Sequence, residues 1–401
     1  MPTDTPAGPA IPLARWASRQ LRILAEMTGS ERIAALDGMT ILGERGSAGR
    51  FIINGKISAG IGGSRLMPTR DGGWFALTIP RPEDRELLPA LFHDEALDVN
   101  SNDAIAQAAL RHDCADLVAR GRELGLPVAS ADEVPASPPV EVLVRGPHSQ
   151  RASGSRPLVI DMSAIWAGPL AGHLLWLAGS EVVKVESLTR PDLIRRDDPA
   201  TFGQINQGKA NIAVDFHSDR EMAALIELLR RADFVIESSR PRALKQLGID
   251  ADALVREVPG LVWLSITGHG ASGEPANWTG TGNDCGVAGG LSRALADATG
   301  EIGYAGDAIA DPLAGIAAAI EGWRAYESGE ACRIGLAMSA ITARALREER
   351  EHDSAALEAE LRGWGAAVGH PFPHVRQREM LAEVHAFGAD TARYLPGLTP
   401  C

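Results

Sequence analysis

The chain has 401 residues, 45% of them hydrophobic and 23% charged, which is long enough for more than one cored unit and excludes a fibre or a disordered chain. Its net charge of −13 argues against a general nucleic-acid binder, which needs a basic face. No run of about 18 uncharged apolar residues occurs and the N-terminus lacks a basic start with an apolar core, so a cytoplasmic protein with no membrane contact is expected.

In chain order, the first feature is a glycine-rich turn at Gly60, Gly62 and Gly63, where backbone freedom is high. GGWFALTI at 72–79 reads as a strand, and residues 86–122 alternate charged and apolar positions at helical spacing. LGLPVASADEV at 124–134 is extended, so residues 1–134 read as a small α+β domain. Residues 135–156 hold PASPPV and SGSR, rich in proline, serine and glycine, and read as a linker. From 157 to 401 short apolar runs alternate with helical segments: 158–162, 181–186, 211–216, 233–238 and 261–268 as strands, 167–179, 222–229 and 242–247 as helices. Apolar strands spaced by helices imply a parallel sheet covered on both faces, a doubly wound, Rossmann-like α/β domain. Ligands of such sheets bind beyond the carboxyl ends of the strands. No GxGxxG or GxxxxGKS is present, which disfavours a nicotinamide or nucleoside-triphosphate enzyme. The charged run at 345–364 reads as a helix with a solvated face.

Chemistry is most concentrated between residues 278 and 316, where Asp284, Asp307 and Asp311 stand among glycine, alanine and isoleucine. Carboxylates in such surroundings leave room for a large substrate and can act as nucleophiles or proton carriers. The plain alternative is that each caps a helix: Asp311 precedes Pro312, a common N-cap pattern. The two readings are compatible, because a helix N-terminus favours the anion. The four cysteines, Cys114, Cys285, Cys332 and Cys401, are widely separated with no histidine at zinc spacing, so no metal is expected. Cys285 lies in a glycine-rich stretch where a ligand could approach.

The blocks VIDMSAIWAGPLAGHLLWLAGSEVVKVE, INQGKANIAVDFHS, RRADFVIESSRPRALKQLGID, PGLVWLSITGHGASGEP and AGDAIADPLAGIAAAI follow one another over some 160 residues, 159–320. In that order they resemble family III CoA-transferases, the CaiB/BaiF type that includes formyl-CoA and carnitine CoA-transferases. The first 134 residues resemble, more weakly, the family's small domain, and HAFGADTARYLPG at 385–397 its closing segment, so the parts stand in permuted order. The resemblance implies transfer of coenzyme A between an acyl-CoA and a carboxylic acid, with Asp311 as covalent nucleophile and no prosthetic group. Asp284 and Asn283 fall in the same catalytic block, and Gly62 and Gly63, with Gly60, match a mobile loop over the site. Coenzyme A contacts are implied at Ile165, Trp166, Ala167, Val214, His217, Ser238, Ser239, Gln246, Leu247 and Thr281. Lys184, Arg190 and Lys209 could supply charge for its phosphates where the family's own cations are missing. A homodimer, possibly interlocked, is implied as well. Two other functions fit the fold: an α-methylacyl-CoA racemase, whose histidine falls at Asn283, and a non-catalytic CoA-binding subunit. Asparagine cannot exchange a proton near neutral pH, which weighs against the racemase.

Overall fold

The computed structural model describes residues 8–60, 63–150, 156–239 and 241–397. The chain opens with helices α1 (Ala14–Thr28), α2 (Glu31–Ala34) and α3 (Gly38–Ala48), the last capped by the Asp37 carboxylate on the Thr40 amide. Strands β1 (Arg65–Pro68), β2 (Trp74–Leu77) and β3 (Val128–Ser130) form an antiparallel sheet in the order β1-β2-β3. Between β2 and β3 run α4 (Leu88–Phe92), α5 (Asn102–Ala109) and α6 (Cys114–Glu123).

The larger sheet begins with β4 (Val140–Arg145) and β5 (Leu158–Asp161), followed by α7 (Ala167–Leu177) and β6 (Glu181–Ser187). Helices α8 (Ile194–Asp197) and α9 (Pro199–Asn206) lead to β7 (Ala210–Val214), and α10 (Asp219–Arg230) leads to β8 (Phe234–Glu237). Helices α11 (Pro241–Gln246) and α12 (Ala251–Glu257) precede β9 (Val262–Thr267). Then come α13 (Gly282–Ala288), α14 (Leu291–Thr299), α15 (Ala310–Ser328), β10 (Cys332–Ala337), α16 (Met338–Ala366) and α17 (Thr391–Tyr394). The strand order is β4-β10-β9-β8-β5-β6-β7, parallel throughout except for β4. The fold is thus α/β, a doubly wound sheet with a separate small antiparallel sheet.

Side chains of each strand alternate between two cores, as the period of two requires. Val159, Phe234, Ile236, Val262 and Leu264 enter the core shared with α7 and α15. Ile160, Val235 and Trp263 enter the opposite one, with Leu225 and Leu229 of α10 and Leu254 of α12. The small sheet is likewise used on both sides. Phe75 and Val128 pack on Leu117 of α6, while Leu66, Ala76 and Ala129 pack on Val287 and Ala288 of α13.

The domain reading needs correction in two places. Residues 140–145, assigned to the linker, pair antiparallel with β10 from Leu336↔Val140 to Cys332↔Arg145 and form an edge strand. Prolines 135, 138 and 139 flank a Val-Glu-Val-Leu-Val run, and it is the run that pairs. Helices α1 and α3, assigned to the small domain, place Trp16, Leu21, Leu24, Ile41 and Leu42 in the core of α7 and α15; an amphipathic helix declares an apolar face but not its partner. The charged helix at 345–364 also differs from expectation. It lies in α16, which kinks at Asp353, and Glu349 is fully buried against Arg15 and Arg19.

Candidate active site

The strand order runs both ways from β5, so the topological switch point, where ligands of such sheets bind, falls at the carboxyl ends of β5 and β8, whose connections leave in opposite directions. The Ala164 amide donates to the Ser238 hydroxyl across it at 3.4 Å. Ile165 follows, in left-handed backbone conformation (φ 70°) and 43% exposed; a branched residue there is strained, which marks the turn as over-determined by its surroundings. Its amide is held by both Asp192 oxygens at 3.2 Å. His217 follows β7 and Ser238 and Ser239 follow β8, at carboxyl strand ends, whereas Gln246 and Leu247 stand at the far end of α11; His217, Ser238 and Gln246 are exposed. Trp166 and Ala167 are buried, and so is Val214, whose carbonyl already accepts from the Leu188 amide. These three offer a ligand little side-chain surface.

Lys184 and Lys209 cannot serve coenzyme A phosphates. Both are 1% exposed; Lys184 pairs with Asp192 at 3.0 Å and Lys209 with Asp161 at 2.8 Å. Their ammonium groups also hold the carbonyls of Ser163 and Pro169. They brace the β5 turn from beneath. Arg190 is exposed.

Asp311 lies in the first turn of α15, one residue inside the helix, so it is not the N-cap; that position belongs to Ile309 and carries no side-chain cap. Asp311 is half-buried, and its carboxyl, turned inward, receives a hydrogen bond from the Gly282 amide. A Cβ on Gly282 would fall 2.0 Å from Asp311 Oδ2 and 2.4 Å from the Ala308 carbonyl, so only glycine lets α13 approach α15 this closely. Burial pushes the Asp311 carboxyl up to about 7; Arg45 opposes the rise, and Asp284 and Asp307 add to it.

Arg45, from α3, was not expected from the sequence. Its guanidinium grips Asp307 with Nε to Oδ2 and Nη2 to Oδ1, each 2.6 Å, in a buried bidentate pair. It also lies 4.7 Å from the centre of the Trp166 ring. Gly60 closes over this pair: a Cβ there would meet Asp307 Oδ1 at 2.6 Å and Arg45 Nη2 at 2.7 Å. Gly63 is left-handed, with φ 58° and open space around it; Gly62 lies outside the described residues.

Asn283 and Asp284 are occupied by the protein itself. The Asn283 amide donates to Ser64 Oγ at 3.1 Å, and its carbonyl accepts from the Ala308 amide at 3.1 Å. Asp284 Oδ1 accepts from the Thr281 amide and hydroxyl and from Thr78 Oγ1. Ser64 and Thr78 are themselves 2.9 Å apart, so a polar chain ties the small sheet to α13. Thr281 therefore spends its hydroxyl on a capping box. Cys285 sits inside α13, fully buried, and burial beside Asp284 pushes its thiol well up. Tyr304 is buried nearby, with no hydrogen-bond partner for its hydroxyl among the described residues. A cleft of about 1040 Å³ opens farther off, between α6 and Trp278; Cys114 and Arg122 line it, and Asp311 does not.

A model of CoA-transferase family III matches residues 156–364. The succinate–glutarate CoA-transferase of Agrobacterium fabrum is 31% identical over 197 residues, covering 45% of this chain and 49% of that protein. The formyl-CoA:oxalate CoA-transferase of Streptomyces coelicolor is 35% identical over 120 residues, 28% of this chain and 29% of its own. The crystal structure of a CaiB/BaiF family protein from Brucella suis is 27% identical and covers 52% of this chain and 58% of its own, with a TM-score of 0.44. The chain spans about half the length, or less, of the curated relatives it matches. No helix of the described residues is long and apolar enough to cross a membrane. With more than half its length matched, the chain belongs to CoA-transferase family III.

Proposed function

We propose that this protein moves coenzyme A from an acyl-CoA donor to a carboxylic acid acceptor, with Asp311 as the covalent nucleophile. The observation that carries the reading is the state of Asp311: a half-buried residue in a first helical turn, with its carboxyl pushed by burial up to about 7. Near neutral pH a large share is ionised, and a carboxylate of raised basicity is a better nucleophile than an ordinary surface aspartate.

Asp311 attacks the thioester carbonyl of the donor, forming a mixed anhydride and releasing the coenzyme A thiolate. The thiolate attacks the aspartyl carbonyl of the anhydride, giving an aspartyl-CoA thioester and the free donor acid. The acceptor carboxylate attacks that thioester, which regenerates the thiolate and leaves a second anhydride. Attack of the thiolate on the acceptor's carbonyl yields the new acyl-CoA and restores the Asp311 carboxylate. Each step exchanges one acyl bond for another, and water is a competitor throughout. Developing oxyanions need donors, and the proposed ones are backbone amides of the glycines around Asp311: Gly282, already bonded to its carboxyl, and Gly60, which packs at Arg45 and Asp307. Coenzyme A is a substrate here, and no prosthetic group enters a step. The cytoplasm, where acyl-CoA pools lie, is the compartment proposed, and a homodimer is the proposed assembly.

Incubation with an acyl-CoA donor alone should leave an activated acyl group on Asp311. Hydroxylamine should capture it as a hydroxamate, read as a mass change on the peptide that contains Asp311. Active enzyme that yields no trapped Asp311, while exchanging the substrate α-proton with deuterated water, would refute the transferase reading. Asn283, with both ends of its amide engaged by Ser64 and Ala308, offers no proton carrier for that alternative.

A further inference from the structure

Most fully buried carboxylates in the described residues face a cation: Asp161 meets Lys209, Asp192 meets Lys184, Glu186 meets Arg195, Asp307 meets Arg45 and Glu349 meets Arg19. Asp284 does not. It is 0% exposed, and its Oδ1 is satisfied by an amide and two hydroxyls. Its Oδ2 faces His269 Nε2 at 3.7 Å and Cys285 Sγ at 3.8 Å. His269 is 3% exposed, and its Nε2 has no hydrogen-bond partner among the described residues. The thiol reaches the Gly268 carbonyl at 3.3 Å. An imidazolium serving Asp284 would close to about 2.7–2.9 Å; this one stands off. We infer that His269 Nε2, Asp284 Oδ2 and Cys285 Sγ form a three-ligand site for a divalent transition metal of the zinc class.

The donor atoms lie within 4.8 Å of one another. Across a tetrahedral zinc, bonds of roughly 2.0–2.3 Å put neighbouring donors roughly 3.3–3.5 Å apart, so the 3.7 Å Nε2–Oδ2 and 3.8 Å Sγ–Oδ2 pairs close by a few tenths of an ångström and the Nε2–Sγ pair, within 4.8 Å, by no more than about 1.3 Å. Nitrogen, oxygen and sulfur together select zinc over magnesium or calcium, which prefer oxygen. The charges balance: binding releases the Cys285 proton to solvent, and thiolate plus carboxylate neutralise the ion in a setting where a lone charge is costly. The supports are in place too. Thr281 and Thr78 fix the carboxylate through Oδ1, and the His269 ring is braced edge-on by Trp278, 5.8 Å between centroids. The ion would lock the start of α13, and hence the Gly282 amide on Asp311, to the loop after β9. Its role is positional and it enters none of the transfer steps.

The full-length protein, purified after growth with added zinc and desalted, should carry one zinc per chain by elemental mass spectrometry. Cobalt in place of zinc should give a thiolate-to-metal charge-transfer band in the visible–ultraviolet spectrum, a wild-type readout that needs no variant. His269→Ala and Cys285→Ser, with folding checked by circular dichroism, should lower metal affinity roughly tenfold or more, whereas Asp311→Ala should keep the metal. Substoichiometric metal after exposure to excess zinc, a cobalt spectrum without the thiolate band, or unchanged binding in folded His269→Ala would each overturn the inference and leave Asp284 to an imidazolium at His269. Because Asp311→Ala is inactive under the proposed reaction yet metal-bearing here, failure of one reading does not mimic failure of the other.

Discussion

Burial, Asp284 and Asp307 oppose the ionisation of Asp311, while Arg45 and the Gly282 amide favour it, and the balance falls at about 7. Two consequences follow at this residue. If the carboxylate is the nucleophile, kcat/KM should rise with pH along a limb of unit slope and level off near 7. A rate already flat from pH 5 upward would show that another group attacks. The second consequence concerns stability. The folded chain holds the Asp311 proton up to about 7, whereas the unfolded chain releases it near 3.8. Between those values the native state binds more protons, so stability falls as pH rises through the window, and the penalty is complete above about 7. Asp311→Asn keeps the shape and removes the charge. It should abolish transfer yet stabilise the protein at pH 8, on the order of 2 kcal/mol once the shift is discounted for the residue's partial exposure. The gain should shrink toward pH 5. Urea melts at both pH values check this; a variant less stable at pH 8 would contradict the account.

At the scale of elements, α3 is joined to the loop before α15 by Arg45 and Asp307, and both side chains are nearly devoid of solvent. Removing one partner of such a pair strands the other charge, typically at 3–5 kcal/mol, more than the pair itself contributes. Arg45→Met should therefore destabilise by about that amount, and Arg45→Met with Asp307→Leu should recover most of it. The single variant should also move the pH limb of activity upward, because Arg45 is the main group favouring the Asp311 carboxylate. Equal stability of single and double variants would show that the pair is not coupled. None of this was legible in the sequence, since Arg45 stands 262 residues from Asp307 in a helix with no motif. The strands of the parallel sheet were legible because both faces are covered, so they read as continuous apolar runs such as Val262–Thr267. Strand β4 was not: at the sheet edge Val142 is 44% exposed, and Glu141 breaks the apolar signal. The grouping of His269 with Asp284 and Cys285 escaped notice for a related reason. Zinc spacings are recognised within one short motif, and here a strand-end loop meets a helix. Asp311 itself was visible, by resemblance more than by its Asp-Pro context, and the structure replaces that context's N-cap reading with a place inside the first turn.

For the molecule as a whole, assembly can be read directly: light scattering at assay concentration should give twice the chain mass, and an active monomer would remove the proposed dimer. A sharper question is whether the family-matching part stands alone. The match starts at residue 156, after the small sheet and the N-terminal helices, which invites the view that residues 136–397 fold independently. The core says otherwise. Trp16, Leu21, Leu24, Ile33, Ile41 and Leu42 are all 0% exposed within the core that also contains Leu170, Leu313 and Ile316. Each such side chain gains roughly 1.5–3 kcal/mol on burial. The six together match or exceed the 5–15 kcal/mol by which a whole native domain is typically stable. Loss of Arg45 and of the Arg15 and Arg19 contacts to Glu349 would also leave buried carboxylates unpaired. A fragment of residues 136–397 should accordingly be insoluble or expanded, binding a hydrophobic dye and melting without cooperativity. Supplying residues 8–135 on a separate chain should restore a cooperative melt, because the contacts between the two parts are side-chain packing and backbone hydrogen bonds, such as those joining Ile53 to His370 and Phe51 to Phe372, and do not depend on a covalent link. A sharp, soluble melt of the fragment alone, within a few degrees of the intact chain, would show that α1–α3 merely rest on a core already complete; the burial of Trp16 and Leu21 between α1 and α15 argues that they finish it.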